Sequence, residues 1–226
     1  MNRGEAARPQ PTAPPRISRL RGNGEKWMDS KSSGRRMGFA LCGSFCTFAR
    51  VLDTLAALVA DGWEITPIMS TQSATTDTRF GTSQSFRTRL SELCGRPVID
   101  TIAAAEPIGP KKSLDVLVVA PATGNTLAKI AAGIADTPPT LAVKSHLRNE
   151  RPVVLAVSTN DGLGGNGANI GALMARKHIY LVPFGQDDPK EKPNSLVADF
   201  SLIGATAEAA LRRTQLQPLL LRGTGQ

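Results

Sequence analysis

The chain has 226 residues, 27 Lys and Arg against 19 Asp and Glu, and 41% hydrophobic residues, a size that fits one domain or one domain with a tail. Three cysteines in a chain this long exclude a disulfide scaffold. No apolar run approaches the ~20 residues of a membrane span, and the first 30 residues lack the apolar stretch of a secretory signal, so a soluble, cytoplasmic protein is expected.

The net charge of +8 would suit a polyanionic partner, but it is unevenly spread. Residues 1–36 hold nine basic and three acidic groups, four prolines and no apolar periodicity. This composition predicts a disordered basic extension. Met28 or Met37 is an alternative start that would remove most of it. A nucleic-acid arm is the third reading, but Trp27 is the sole aromatic among these basic residues, so the stacking expected of a single-strand binder is missing. Residues 37–226 carry 18 basic and 16 acidic groups and are near neutral.

Met37–Cys42 is a short apolar run ending at Gly43-Ser44, which predicts a buried strand and a turn. Phe48, Val51, Leu52, Leu55, Leu58 and Val59 recur at helical spacing, and Gly62 ends that helix. Trp63–Met69 is a second strand. Residues 70–83 are rich in Ser and Thr and read as a long loop. Ser85–Leu93 predicts a short helix and Val98–Asp100 a short strand. Leu114–Ala120 is nearly all Leu, Val and Ala and predicts a central strand. Helices follow over Asn125–Ala135 and Pro139–Arg148, then a strand over Val153–Val157. Asp161–Gly171 reads as a glycine-rich loop running into a helix that ends near Lys177. Ile179–Val182 is the last expected strand and Ala205–Arg213 the closing helix. Strands alternating with helices imply a single α/β domain over 37–220, a three-layer, doubly wound parallel sheet. Ligands in such sheets bind at the carboxyl ends of the strands, at a switch point in strand order.

Cys42-Gly43-Ser44 follows the first strand and opens a helix. It reads either as a phosphate-binding turn or as a turn alone, since the G-x-G-x-x-G fingerprint is absent. Pro121-Ala122-Thr123-Gly124-Asn125-Thr126 puts small polar side chains at a second helix start, as a ligand loop or as an ordinary N-cap. Cys42, Cys46 and Cys94 have no metal-ligand spacing, so no metal is expected; they read as buried apolar residues in preference to activated thiols. His146 and His178 read as surface or packing residues.

The run P-A-T-G-N-T-L-A-K-I-A-A-G-I-A-D, residues 121–136, resembles the signature of the homo-oligomeric flavin-containing Cys decarboxylase superfamily, which includes flavin prenyltransferases. The segment Ser158-Thr159-Asn160 and the pair Asn169-Ile170 resemble its later motifs. Further segments resemble a narrower family within it, the dipicolinate synthase B subunits of spore-forming bacteria. These are G-x-x-L-C-G-S-F-C-T from Gly38, T-R-F-G from Thr78, A-E-P-I-G-P-K from Ala105, R-P-V-V-L-A-V-S-T-N-D-G-L-G from Arg151, P-F-G-Q-D-D-P-K-E-K-P-N-S from Pro183 and Q-L-Q-P from Gln215.

The resemblance implies a flavodoxin-like (Rossmann-like) fold and a homo-oligomer. It implies FMN held by Gly43, Ser44, Ser70, Thr71, Thr123, Asn125, Thr126 and Asn160. It also implies a sporulation enzyme of the mother-cell cytoplasm that forms dipicolinate from 4-hydroxy-tetrahydrodipicolinate or its dihydro form. An A subunit carrying NAD(P) would supply the redox chemistry. A planar dicarboxylate calls for cations, and Arg79, Lys111 and Lys192 stand beside Gly or Pro in loops; each reads as a substrate contact or as a solvated charge. The decarboxylases carry a His where this chain has Glu106–Lys111 and a Cys where it has Gly185–Asp188, and this chain has neither. A decarboxylase or prenyltransferase is therefore the alternative reading. A non-catalytic subunit that stabilises a partner enzyme is the second alternative, because no nucleophile–base pair is evident.

Overall fold

A computed structural model of the chain describes residues 35–221, so the expected basic extension lies almost wholly outside the described residues. The first strand, β1 (Arg36–Leu41), is buried along nearly its whole length. A 3-10 turn (Phe45–Thr47) leads into α1 (Phe48–Ala60), whose buried residues Phe48, Val51, Leu52, Leu55 and Leu58 form the stripe expected from their spacing. β2 (Glu64–Met69) pairs with β1 in parallel. The segment read as a loop over residues 70–83 contains a helix, α2 (Thr71–Thr75), capped by Ser70, and a turn closed by a bridge between Thr78 and Gly81. Short polar residues hid this helix because Ser and Thr have poor helix propensity but are strong N-caps. α3 (Ser83–Cys94) follows; the strand expected at Val98–Asp100 is reduced to one bridge between Ile99 and Ile68. Two one-turn helices, α4 (Ile102–Ala105) and α5 (Ile108–Lys111), lead to β3.

β3 (Val116–Ala122) is buried at every residue. It lies between β1 and β4 (Val153–Thr159), parallel to both, and both its faces are covered by helices. Pro121 has no amide to give the ladder, and the β3–β4 register shifts between Val119 and Ala122. α6 (Gly124–Ala131) ends four residues earlier than expected, and α7 (Pro138–Leu147) starts at a capping box of Thr137 and Thr140 with Pro at its first positions. α8 (Asn166–Met174) and β5 (Ile179–Leu181) complete a parallel order of β2-β1-β3-β4-β5.

β5 is not the last strand. β6 (Phe184–Gly185) and β7 (Leu196–Ala198) pair antiparallel with each other, and β7 pairs antiparallel with Ser158 and Thr159 at the end of β4. The sheet is therefore mixed, with parallel pairs dominant. Strands of two and three residues are too short to show a period of two, which is why sequence patterning missed them. α9 (Ile203–Leu211) closes the fold against β3 and β4.

Candidate functional site

The order β2-β1-β3 places the switch point between β1 and β3: the chain leaves β1 toward β2 on one side and β3 toward β4 on the other. A cavity of about 330 Å³ opens there. Its walls include Gly43 after β1, Ser70 after β2 and Thr123, Asn125 and Thr126 after β3. These are five of the eight residues expected to hold a cofactor.

Three helix starts meet at this cavity, those of α2, α6 and α7. In each, a hydroxyl accepts from the amide three residues on: Ser70 from Ser73 at 3.2 Å, Thr123 from Thr126 at 3.3 Å, Thr137 from Thr140 at 3.4 Å. In each, the two side-chain hydroxyls also pair, at 2.9, 3.0 and 2.8 Å. The amides left free in the first turns, together with the helix dipoles, make the cavity favourable for an anion. Lys129 is the one cation in its lining among the described residues. Asp136 receives the Lys129 ammonium at 2.8 and 2.9 Å, and that hydrogen bond holds its carboxyl below the usual range.

Lys129, Thr137, Gln72, Thr76 and Phe45 also line the cavity and were not expected from sequence. The repeated spacing of hydroxyls three apart, at Ser70/Ser73, Thr123/Thr126 and Thr137/Thr140, was the signal that could have added Thr137. Cys42 is buried against the Thr126 hydroxyl; burial pushes its thiol up to about 12, so it is a small core residue, as expected. Burial also pushes the half-buried Cys94 up to about 11. Cys46, by contrast, is exposed, against expectation.

Three expected cofactor residues lie outside the lining. The Ser44 hydroxyl pairs with Ser158 at 2.9 Å, tying the β1 loop to the end of β4. Thr71 and Asn160 are exposed. Beside Asn160, the Asp161 carboxylate accepts from the Gly165 amide at 2.9 Å and from Asn166 Nδ2 at 3.1 Å, and Asn166 Oδ1 accepts from Asn169 at 3.0 Å. A Cβ on Gly124 would stand 2.5 Å from Asn166 Nδ2 and 2.8 Å from Thr159 Oγ1. Glycine is thus required for the start of α6 to approach the β4 loop.

The expected substrate cations separate. Arg79 is exposed on the α2–α3 loop, over the Phe80 ring at 4.8 Å. Lys192 is exposed on the β6–β7 loop; its hydrogen bond from Nζ to Asp187 at 3.2 Å raises its pKa. Both loops lie at the carboxyl ends of the strands. Lys111 ends α5, which packs on the last turns of α7 through Gly109, Ser145 and Asn149, on the side where the strands begin.

The Flavoprotein family profile matches residues 26–180. The chain belongs to the flavoprotein family. This flavoprotein is 46% identical over 192 residues to the dipicolinate synthase B subunit of Bacillus subtilis strain 168, covering 85% of this chain and 96% of that one. The crystal structure of the dipicolinate synthase B subunit from Bacillus halodurans superposes with a TM-score of 0.77 at 46% identity, covering 84% of this chain and 97% of that one. The FMN-dependent cysteine decarboxylase SpaF superposes at 0.58 with 25% identity, over 79% of this chain and 96% of that one. The parallel-dominant, flavodoxin-like architecture expected from sequence is the one these relatives share. Among the described residues, no helix is long and apolar enough to cross a membrane.

Proposed function

We propose that this flavoprotein acts as the B subunit of a dipicolinate synthase in the cytoplasm of a sporulating mother cell. The observation that carries this reading is the 46% identity to the B subunit of a dipicolinate synthase over 96% of that relative's length. The reaction loses water from 4-hydroxy-tetrahydrodipicolinate, then two electrons and two protons from the dihydro ring, giving the aromatic diacid. An NAD(P) on a partner A subunit accepts the electrons.

The cavity suits FMN. Its volume of about 330 Å³ falls within the roughly 300–1,000 Å³ of ligand clefts. Its three helix starts and its one ammonium match a phosphate. A bound flavin would supply a two-electron carrier that passes the ring's electrons on to that NAD(P). Thr123, Asn125 and Thr126 orient the group at the start of α6, while Ser70 and Thr137 keep the other two helix starts in register. Arg79 and Lys192, whose loops both lie at the carboxyl ends of the strands but which do not converge, are each a candidate to meet one carboxylate of the substrate; Lys111, at the other end of the strands, is a surface charge.

The test is reconstitution of the purified chain with an NAD(P)-dependent A subunit, following dipicolinate by absorbance. Product is expected when both proteins are present and absent when either is omitted. Product from the A subunit alone, or none from the pair, would overturn the reading. A flavin absorbance spectrum of the purified chain tests the cofactor separately.

A further inference from the structure

The opposite end of the sheet, where the strands begin, carries features that the ligand cavity does not use. Among the described residues, each of the six helices of eight or more residues is followed within four residues by a left-handed residue. After α1, α3 and α6 that residue is glycine: Gly62, Gly95 and Gly133, with φ of 87°, 61° and 74°. After α7, α8 and α9 it is Glu150, His178 and Arg213, with φ of 54°, 65° and 59°. Glycine adopts this conformation without the Cβ clash that other residues meet. These three non-glycine residues converge on one cavity of about 200 Å³, which Arg151 and Tyr180 also line. Lys112, after the one-turn α5, is a fourth left-handed non-glycine residue and does not line it. Strain that is retained at several places and collected at one site points to a use for the side chains.

Two larger cavities adjoin it, of about 450 and 440 Å³, and all three share His178. Each is edged by one large exposed apolar side chain: Ile134 at 47%, Met174 at 44% and Leu211 at 37%. Lys144, Arg148, Arg176 and Lys177 surround the first two, and no carboxylate lines either. None of these four cations, nor Arg213, forms an ion pair among the described residues. Separated apolar knobs beside a cluster of unpaired cations, with the carboxylates of Asp115 and Glu150 confined to the third cavity, are the anatomy of a protein interface, whose anchors are apolar and whose rim selects by charge.

We propose that this face docks an acidic surface of the partner subunit, an inference that rests on the partner-dependent function above. Charge complementarity selects the occupant. Residues 1–34 of the chain carry seven basic and three acidic groups, and residues 222–226 carry one Arg and no acid, so neither end of the chain complements the face. Docking here leaves the cavity between β1 and β3 open, because the two lie at opposite ends of the same strands.

The experiment measures the affinity of the full chain for the purified A subunit at low and high salt, with the double variant Lys144→Glu/Lys177→Glu in parallel. Both lysines are exposed and neither side chain makes a hydrogen bond among the described residues, so folding is spared. A charge-matched control, Arg50→Glu/Arg89→Glu, lies on α1 and α3. The expected result is a loss of at least about tenfold for Lys144→Glu/Lys177→Glu, a near-normal control, and a wild-type complex that weakens as salt rises. Ile134→Asp is expected to weaken the complex at both salts. A complex insensitive to Lys144→Glu/Lys177→Glu and Ile134→Asp overturns the docking face and leaves the partner reading standing. A wild-type chain that binds no A subunit overturns both. A wild-type chain that self-associates, and becomes monomeric as Lys144→Glu/Lys177→Glu, assigns the face to a second copy and overturns the proposal.

Discussion

The cavity at the carboxyl ends of the strands is lined by Ser and Thr hydroxyls, two amide side chains and helix starts, with Lys129 the one cation among the described residues that line it. At the amino ends it is made of Arg, Lys, His and Glu side chains on helix ends. Backbone dipoles are fixed by the fold and need no side chain to be ordered on binding. Long cations are adaptable, screened by salt, and cost rotamer entropy when they are held. The first arrangement suits a small ligand in a defined pose; the second suits a broad surface. Substitutions at the two ends should therefore fail differently, by ligand loss at one end and by pH, salt and backbone effects at the other.

The largest expected effect is at Gly124. Valine there drives its side chain into Asn166 and Thr159, both held in polar contacts at the end of β4. Either these side chains or the start of α6, which carries Thr123, Asn125 and Thr126 at the cavity, must shift. Flavin affinity is expected to fall by roughly 100-fold, about 2.8 kcal/mol, with a stability loss of about 1–3 kcal/mol from overpacking. Flavin fluorescence titration and urea unfolding measure the two. Unchanged affinity would show that the cavity between β1 and β3 is not the flavin site.

His146 breaks the comparison from the other end. It is buried in α7, its Nδ1 has no partner, and burial, with Arg151 beside it, pushes its pKa down to about 4. The unfolded chain, with His near 6.5, therefore binds the extra proton between pH 6.5 and 4. Stability falls as pH drops through that window and the contribution is fully lost below it. At pH 5 the expected loss is about 2 kcal/mol relative to pH 7.5. Asp115 contributes separately and at lower pH. Burial raises its pKa, but its bonds from Arg36 outweigh that and leave the carboxyl below its usual range. Urea midpoints at pH 7.5 and 5 should converge in His146→Gln; a slope equal to wild type would exclude His146 as its source.

Thr137 is expected to have a smaller effect. Alanine there removes the hydroxyl that accepts from the Thr140 amide and breaks the capping box, for about 1 kcal/mol by thermal unfolding. Because α7 starts at the cavity and ends at the cationic face, this variant asks whether loosening one end reaches the other. Ligand affinity should drop modestly while partner affinity stays near wild type.

How much of this was legible in sequence follows from the length scale of each signal. Thirteen residues of α1 carry a helical stripe, and seven of β3 an unbroken apolar run, so both were readable. Gly43, Ser70, Thr123, Asn125 and Thr126 were readable as a group because each follows a strand and the motif P-A-T-G-N-T has a family, and the fold brings them to one cavity. β6 and β7 were not readable, having two and three residues; Thr137 left a trace in the spacing of its hydroxyl from Thr140, but its place in the cavity depends on how α7 folds back over β3. Lys111 misled because a loop cation beside proline looks the same at either end of a strand; only topology separates them. His178 and Arg213 gave no signal at all, since a left-handed φ at a non-glycine residue leaves no mark in the sequence.

The smallest expected effect is also the most direct comparison of the helix ends. His178 holds φ at 65°, and its ring faces Arg213 across 3.4 Å. A left-handed conformation costs a non-glycine residue about 1–2 kcal/mol, while glycine costs about 0.5–1 kcal/mol of unfolded-chain entropy. His178→Gly should therefore be about 0.5 kcal/mol more stable than wild type, small but resolvable by paired urea curves. The reverse change after α6, Gly133→His, has open space for its Cβ and a φ of 74°, so it should lose stability by about as much as His178→Gly gains, or slightly more. If both follow, the backbone alone would favour glycine after α8, and histidine is kept there for its ring. His178→Gly should then bind the A subunit more weakly than wild type although it is more stable. A variant that gains stability and binds normally would place the value of His178 elsewhere than in docking.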